Sequence, residues 1–410
     1  MQGPIRIVIV EDSSVVSMLL KAFIDNEPDM EVVGVAKDGR EGVALVTQLR
    51  PDLVTMDIRM PVMDGFEATQ EIMATVPTPI VVISSSVDDE ELQITFNAIN
   101  AGALSVLEKP HGPGHPQFDQ DRRNVVEMVR VMSEVRVVRH NRGGPMPTAR
   151  EDGEALPTAF TVDQPRSTPV TPSPSQPRQT PATPANYLHT NPLEGGVGGA
   201  IPRKNKTPYE VVAVGASTGG PQALNSIFSQ LTDGFPLPIL VVQHISPGFV
   251  SGLARWLNDN STLTVKIAEA GETLHPGVIY LSRDGHHLGL SRNLSGRLCI
   301  DYQDEPQGLH RPAANELFRS VADVCGPMSI GILLTGMGED GAPGLLQMKQ
   351  RLAYTICQEP STCVVAGMPQ SAISRGAAKE VIPLEQIAPR LTQELGALRL
   401  MVQSQKRMSV

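Results

Sequence analysis

The sequence predicts an α/β protein of two domains, each built on a parallel β-sheet. Short apolar runs that suit strands alternate with longer stretches that suit helices, both before and after a proline-rich segment. This alternation is typical of parallel sheets covered by helices on both faces. A chain of 410 residues is long enough for two or three domains. Hydrophobic residues make up 40% of it and aromatic residues only 4%, which suits cores of aliphatic side chains.

The predicted elements can be followed along the chain. In the first half, the predicted strands are IRIVIV, MEVVGVA, PDLVTMD, TPIVVIS and ALSVLEKP. The predicted helices of that half are SSVVSMLLKAFIDN, GFEATQEIMATV, DDEELQITFNAINAG and DRRNVVEMVRVMSEVRVVR. In the second half, the predicted strands are EVVAVGAS, LPILVVQH, GVIYLS, MSIGILLTG and YTICQE. We therefore expect the second domain to be doubly wound α/β with a mostly parallel sheet, like the first.

A proline-rich segment separates the two halves. It contains seven prolines within a short span, namely Pro165, Pro169, Pro172, Pro174, Pro177, Pro181 and Pro184. Such a stretch buries too little apolar surface to offset the entropy lost on ordering. We predict a semi-extended, disordered linker at 139–206 between domains at 1–138 and 207–405. The alternative is a proline-rich docking ligand.

Composition excludes several classes of protein. A net charge of −10 argues against general nucleic-acid binding, which needs a basic surface. The apolar runs are far shorter than the ~20 residues of a membrane helix, and the N-terminus does not resemble a signal peptide. Without CxxC spacing, the four cysteines are predicted to be reduced structural thiols. We expect a cytoplasmic monomer with no membrane insertion.

Charged and hydroxyl side chains end four predicted strands of the first domain. Glu11 and Asp12 follow the first strand, and Asp57 follows the third. Ser84 ends the fourth strand and Lys109 the fifth. Because carboxyl ends of parallel strands meet at one edge, these groups should converge. Clustered carboxylates suit Mg²⁺, an aspartate beside it can attack a phosphoryl group, and a lysine and a hydroxyl can hold the phosphoryl oxygens. The alternative is that the acidic residues only cap helices.

The first domain resembles response-regulator receiver domains in the stretches VIVEDS, DLVTMDIRMPVMDG, TPIVVIS and LEKP. The resemblance implies a flavodoxin-like fold and phosphorylation by a sensor histidine kinase. It implies these roles: Asp57 as the phosphorylation site, Glu11, Asp12 and Asp57 with the Arg59 carbonyl as Mg²⁺ ligands, and Ser84 and Lys109 as phosphoryl contacts. Val106 departs from the family, which usually has an aromatic residue there, so the usual aromatic switch is in doubt.

The second domain begins with a possible nucleophile turn. Ser217 is the serine of a G-x-S-x-G motif between a predicted strand and a helix. A phosphate-binding loop is the alternative, but G-x-G-x-x-G spacing and a Walker lysine are missing. Among the histidines of this domain, only His244 ends a clear buried strand, and Asp340 follows the strand MSIGILLTG. The three side chains should meet on one rim as a Ser-His-Asp triad, although singly they could be a helix cap, a strand-end hydrogen bonder and a turn residue.

Residues 208–405 resemble the catalytic domain of the chemotaxis protein-glutamate methylesterases, the CheB family. The matching stretches are GASTGG, VVQHISPGF, ARWLN, PGVIYLSRDGHHL, HRPAANELF, LLTGMGEDGAPGL and QEPSTCVVAGMPQSAI. The resemblance implies that Ser217 is the nucleophile, His244 the base and Asp340 the orienting acid. The backbone amide around Met337 would bind the oxyanion.

The same resemblance implies an activity and a mode of control. The substrates would be glutamate γ-methyl esters on chemoreceptors, with release of methanol, and receptor glutamines would be deamidated. The esterase would need no metal, and the unphosphorylated receiver would cover its cleft. Two other functions stay open, a receiver that regulates a nucleotide-binding Rossmann-like module and a catalytically inactive scaffold.

Departures and ambiguous residues remain in the second domain. Asn315 in HRPAAN replaces an aspartate that the family usually has, which puts a substrate or interdomain contact in doubt. The linker is also longer than usual in the family. His286 and His287 are predicted to make structural hydrogen bonds rather than to bind a metal, because no carboxylate or cysteine stands at ligand spacing.

Overall fold

The computed structural model describes residues 3–85, 89–135, 137, 209–303 and 311–408. The predicted linker lies outside these residues. The strands are β1 Ile5–Val10, β2 Met30–Ala36, β3 Leu53–Met56, β4 Ile80–Ser84, β5 Ser105–Glu108, β6 Val211–Ala216, β7 Ile239–Gln243, β8 Thr264–Ile267, β9 Val278–Leu281, β10 His287–Arg292, β11 Leu298–Gln303, β12 Ser329–Leu333, β13 Tyr354–Gln358 and β14 Glu380–Ile382. The helices are α1 Ser14–Asp25, α2 Gly39–Leu49, α3 Gly65–Thr75, α4 Asp89–Asn100, α5 Phe118–Met132, α6 Gly220–Phe228, α7 Val250–Asp259, α8 Ala314–Cys325, α9 Ala342–Gln350, α10 Gly367–Ser374 and α11 Leu384–Met408.

The first domain is a five-stranded parallel sheet with strand order β2-β1-β3-β4-β5. This is the flavodoxin-like order, which confirms the predicted fold. Alternate residues of β1 face opposite sides, so Val8 and Val10 pack with α2, α3 and α4, whereas Ile7 and Ile9 pack with α1 and α5. Both faces of the sheet are therefore covered, and polar groups can gather only at its ends.

The second domain is a seven-stranded parallel sheet with strand order β14-β13-β12-β6-β7-β9-β8. Val212 and Val214 of the central strand β6 pack with α6, α7 and α11, and Val211 and Ala213 pack with α8, α9 and α10. The doubly wound prediction is confirmed. Because β6 lies between β12 and β7, the loops that follow these three strands meet at one rim.

Some elements were not predicted from the sequence. Helix α2 begins with Gly39 and has a second glycine at Gly42, and both are buried against neighbouring side chains. Glycine has low helix propensity, so its segment has a weak helical signal. Strands β8 and β14 are short edge strands, and β10 pairs with β11 in an antiparallel hairpin outside the main sheet. In the second domain, the apolar runs of the sequence predict only the inner strands of the main sheet.

The two domains pack against each other through α4 of the first and α6 and α7 of the second. The ring of Phe96 stacks on that of Trp256, with centroids 5.8 Å apart. A Cβ atom at Gly252 would lie 2.7 Å from Leu92 Cβ and 3.0 Å from Phe96 Cε2. The helices can approach this closely because Gly252 has no side chain.

The four cysteines of the chain are free thiols. All four cysteines are buried and form no disulfide, as predicted for structural thiols. Burial raises the pKa of Cys325 and that of Cys357 to about 12, which keeps both thiols protonated at neutral pH. No helix in the described part of the chain is long and apolar enough to cross a membrane.

Candidate active site and phosphorylation site

Ser217 lies in a tight turn between β6 and α6. Its amide donates to the Thr335 carbonyl at 3.0 Å, which ties the turn to the loop after β12. A Cβ atom at Gly336 would lie only 2.7 Å from Ser217 Cβ, so this approach requires glycine. Ser217 is partly exposed, whereas its neighbours Ala216 and Thr218 are buried. The turn thus presents the serine at the carboxyl rim of the sheet, as predicted.

His244 follows β7 on the strand next to the serine. The register pairs Ala216 with Gln243, and the His244 amide donates to the Ala216 carbonyl at 2.9 Å. Because Ser217 and His244 each come one residue after this pair, they occupy adjacent positions at the strand ends. This proximity follows from the parallel β6–β7 pairing and was predicted.

Asp340 binds the histidine and the N-terminus of a helix. His244 Nε2 and Asp340 Oδ2 are 2.8 Å apart, with side chains only 11% and 9% exposed. Asp340 also accepts amide hydrogen bonds from Ala314 at 2.6 Å, Asn315 at 3.0 Å and Gly341 at 2.9 Å. Burial by itself raises the pKa of Asp340, but the bonds from His244 and from the amides lower it overall. The carboxylate therefore stays ionised at neutral pH.

Among the described residues, the backbone amides of Thr218 and Gly219, after Ser217, and of Met337, in the loop after β12, have no protein acceptor. The family resemblance implies such a role for the amide around Met337, which follows β12 by a few residues. Thr218 was not predicted, although the amide after a nucleophilic serine contributes to the oxyanion hole in α/β-hydrolases. Unpaired amides at a turn can stabilise a developing oxyanion.

Asn315, His286 and His287 have structural contacts. The Gly344 amide donates to Asn315 Oδ1 at 2.9 Å, which links α8 to α9. The Ala313 amide donates to His287 Nδ1 at 3.2 Å, and the His286 ring packs edge-on against Tyr302. Among the described residues, neither histidine belongs to a group that could hold a metal ion. The prediction of structural hydrogen bonding is confirmed for His287.

The predicted acidic cluster forms at the rim of the first domain. Carboxylate oxygens of Glu11, Asp12 and Asp57 lie within 4.8 Å of one another. Lys109 Nζ donates to Asp57 Oδ2 at 2.9 Å and to Glu11 Oε1 at 3.1 Å. Glu11 Oε2 is buried and has no hydrogen-bond partner within the described part of the chain. An all-oxygen set with an unpartnered buried carboxylate oxygen fits a hard divalent cation such as Mg²⁺.

The ionisation of this cluster reflects its crowding. Burial, followed by the charge of Asp57, raises the pKa of Glu11 to about 7. Burial likewise raises the pKa of Asp57, against the effect of Lys109. Burial lowers the pKa of Lys109, but its bonds to Asp57 and Glu11 raise it overall, so the lysine stays charged. The cluster is thus a site where added positive charge is stabilising.

Ser84, predicted to contact a phosphoryl group, is bonded elsewhere. Its buried hydroxyl donates to Glu91 Oε1 of α4 and accepts from Thr95 Oγ1. Glu91 also accepts from the amide and hydroxyl of Ser85 and lies 3.9 Å from Arg59. Glu91 was not predicted, because α4 carries several acidic residues and no pattern singles out the inward-facing one.

Known proteins resemble this chain in both domains. The family model described as CheB methylesterase matches residues 212–391, and that of the response regulator receiver domain matches residues 7–115. The protein-glutamate methylesterase/protein-glutamine glutaminase of Nitrosospira multiformis is 40% identical over 388 residues, covering 95% of this chain and 96% of the relative. The protein-glutamate methylesterase/protein-glutamine glutaminase 4 of Myxococcus xanthus is 41% identical over 389 residues. The match covers 95% of this chain and 96% of that relative.

A solved structure also resembles the second domain. The crystal structure of the Thermotoga maritima CheB methylesterase catalytic domain is 38% identical and covers 45% of this chain and 98% of that chain, with a TM-score of 0.44.

Proposed function

The chain belongs to the CheB methylesterase family and carries a receiver domain, and we propose that it hydrolyses glutamate γ-methyl esters on chemoreceptors with release of methanol. It would also deamidate receptor glutamines, because amide hydrolysis uses the same acyl chemistry. The observation that carries the proposal is the rim arrangement of Ser217, His244 and Asp340, with Asp340 held by a histidine nitrogen and three amides.

The geometry supports a triad mechanism. Asp340 holds His244 through Nε2, so Nδ1 is the nitrogen that would take the Ser217 proton. Ser217 then attacks the ester carbonyl, and the amides of Met337 and Thr218 stabilise the oxyanion. His244 returns the proton to the methoxide, which leaves as methanol. Water then attacks the acyl-enzyme, and His244 takes a proton from the water and returns it to Ser217. Asp340 stays ionised and balances the charge on His244.

The receiver would accept a phosphoryl group from a histidine kinase at Asp57. Glu11, Asp12 and Asp57 would hold Mg²⁺ together with the Arg59 carbonyl, and the ion would neutralise negative charge on the phosphoryl oxygens. The ammonium group of Lys109 already donates to Asp57, and it would donate to the oxygens of the phosphoryl group once Asp57 carries one. The Ser84 hydroxyl would have to give up its hydrogen bond to Glu91 in order to contact the phosphoryl group.

We propose that the unphosphorylated receiver inhibits the esterase by covering its crevice. Helix α6 begins just after Ser217 and α7 begins a few residues after His244. Helix α4 of the receiver packs on both, and Gln222 in the first turn of α6 donates to the Ala103 carbonyl at 2.5 Å. In this proposal the contact keeps a protein substrate from Ser217, so phosphorylation would have to weaken the contact for activity to rise.

Replacing Gly252 with arginine tests this inhibition. The new side chain would meet Leu92 and Phe96 of the receiver, and overpacking of this kind costs about 1–3 kcal/mol. That corresponds to a rise of about 5- to 150-fold in an open fraction that is small at the outset. We therefore expect methanol release from methylated receptor to rise by such a factor without a phosphodonor.

Two comparisons make the test specific. The exposed neighbour on the same helix gives a matched control, and Ser251→Arg should leave the basal rate unchanged. With acetyl phosphate, the Gly252→Arg protein should reach the wild-type rate, because the clash exists only in the packed arrangement. A basal rate equal to wild type in Gly252→Arg would rule out inhibition through this contact, as would a chain beginning at Thr207 that is no faster than the unphosphorylated protein.

A further inference from the structure

Gln243 is a buried amide that contacts both proposed catalytic residues. It ends β7 and is only 5% exposed. Its Nε2 donates to the Ser217 carbonyl at 2.7 Å and to the His244 carbonyl at 2.7 Å. The two acceptors identify this end of the amide as the NH₂ group, and together they use both of its hydrogens.

The side-chain oxygen of Gln243 explains why residue 220, at the start of α6, is a glycine. Gln243 Oε1 is buried and has no hydrogen-bond partner among the described residues. It lies against Gly220, where a Cβ atom would be only 1.9 Å from it. Gly220 begins α6, and the partial positive charge of a helix N-terminus stabilises an oxygen at this place. The Gly220 amide itself donates to the Ser217 carbonyl at 2.8 Å.

We infer that Gln243 is a positioning residue, which fixes the turn carrying Ser217 at a set distance from His244. This inference rests on the proposed function. The pairing of β6 with β7 aligns their backbones only as far as the Ala216 carbonyl, which accepts from the His244 amide. No strand hydrogen bond of this pair involves Ser217 itself. Beyond that point, Gln243 is the side chain that bonds to both residues. A displaced nucleophile loses rate even when the substrate binds normally, since a misplacement of about 1 Å costs about 100-fold.

Gln243→Met removes both donors and keeps the length of the side chain. We expect kcat for methyl-ester hydrolysis to fall about 10- to 100-fold and KM to change less than about 2-fold, since Gln243 lies beneath the turn rather than in the crevice. The rate of Ser217 labelling by a fluorophosphonate should fall by the same factor as kcat.

A matched control separates positioning from a loss of stability. Thr355 is also fully buried, and its hydroxyl donates to the Ala377 carbonyl at 2.8 Å, away from the triad. Thr355→Val likewise removes a buried donor to a carbonyl, so both variants should melt at a lower temperature. Only Gln243→Met should lose kcat and labelling rate. Equal losses in both variants would assign Gln243 a purely structural role.

Gly220→Ala is a second route to the same displacement. The methyl group would overlap Gln243 Oε1 and push the amide off the two carbonyls, although alanine favours a helix more than glycine does. We expect kcat to fall at least 10-fold and the melting temperature to fall as it does in Gln243→Met, since both variants lose the two bonds from the amide. If the wild-type protein labels at Ser217, and Gln243→Met and Gly220→Ala label at the same rate, the inference is wrong. If wild-type protein does not label at all, the proposed function fails instead.

Discussion

Replacing Ser217 with alanine should reduce methanol release from methylated receptor by roughly 10⁶-fold, the loss typical of a triad nucleophile. Ser217 is partly exposed in the β6–α6 turn, whereas the neighbouring Thr218 is buried, and alanine keeps the amide bond to the Thr335 carbonyl. The fold should therefore persist, which far-ultraviolet circular dichroism and the thermal midpoint can show. Fluorophosphonate labelling of the protein should disappear.

The neighbouring residues provide the controls for this experiment. Ser229→Ala, in the same strand–helix unit but exposed at the end of α6, should retain wild-type activity. His244→Ala should lose nearly as much activity as Ser217→Ala, and the double variant should be no slower than either, because the two residues act as one unit. Substantial methanol release by Ser217→Ala would remove Ser217 from the mechanism, and an inert wild-type protein would favour the scaffold alternative.

The sequence predicted the parts of the site that strand ends determine. Asp57, Lys109, Ser217 and His244 directly follow strands of the two parallel sheets, and that position alone places them on the carboxyl rim. Asp340 was predicted in the same way from the strand before it. Its partners at the start of α8 were not, because the pairing of one loop with a distant helix leaves no local pattern.

Residues that act through one side-chain contact escaped prediction. Gln243 stands in an apolar strand run, where a glutamine gives no sign of which way its amide points. Glu91 is one of several acidic residues in α4, and only packing shows that it turns inward to Ser84. Edge strands such as β14 have few residues and little burial, so their periodicity is weak.

Replacing Asp57 with asparagine should abolish phosphorylation by acetyl phosphate and by the kinase, and with it any activation of the esterase. A carboxylate oxygen is needed to form the acyl phosphate, and an amide is a far weaker nucleophile. Phosphate incorporation measured by intact-protein mass spectrometry should be undetectable. The esterase rate should stay at the unphosphorylated value with or without acetyl phosphate, because the proposed inhibition by the receiver would not be relieved.

A second aspartate beside β3 provides a matched control for Asp57→Asn. Asp52 precedes β3 and accepts the Arg6 amide at the opposite end of the sheet, whereas Asp57 follows β3 at the acidic cluster. Asp52→Asn changes the net charge equally and can keep its hydrogen bond, so it should be phosphorylated and activated like wild type. Because the two variants differ only in which end of the strand is altered, activation of Asp57→Asn by acetyl phosphate would show that another residue accepts the phosphoryl group. Loss of activation in both variants would mean that the response depends on the charge of the receiver rather than on chemistry at Asp57.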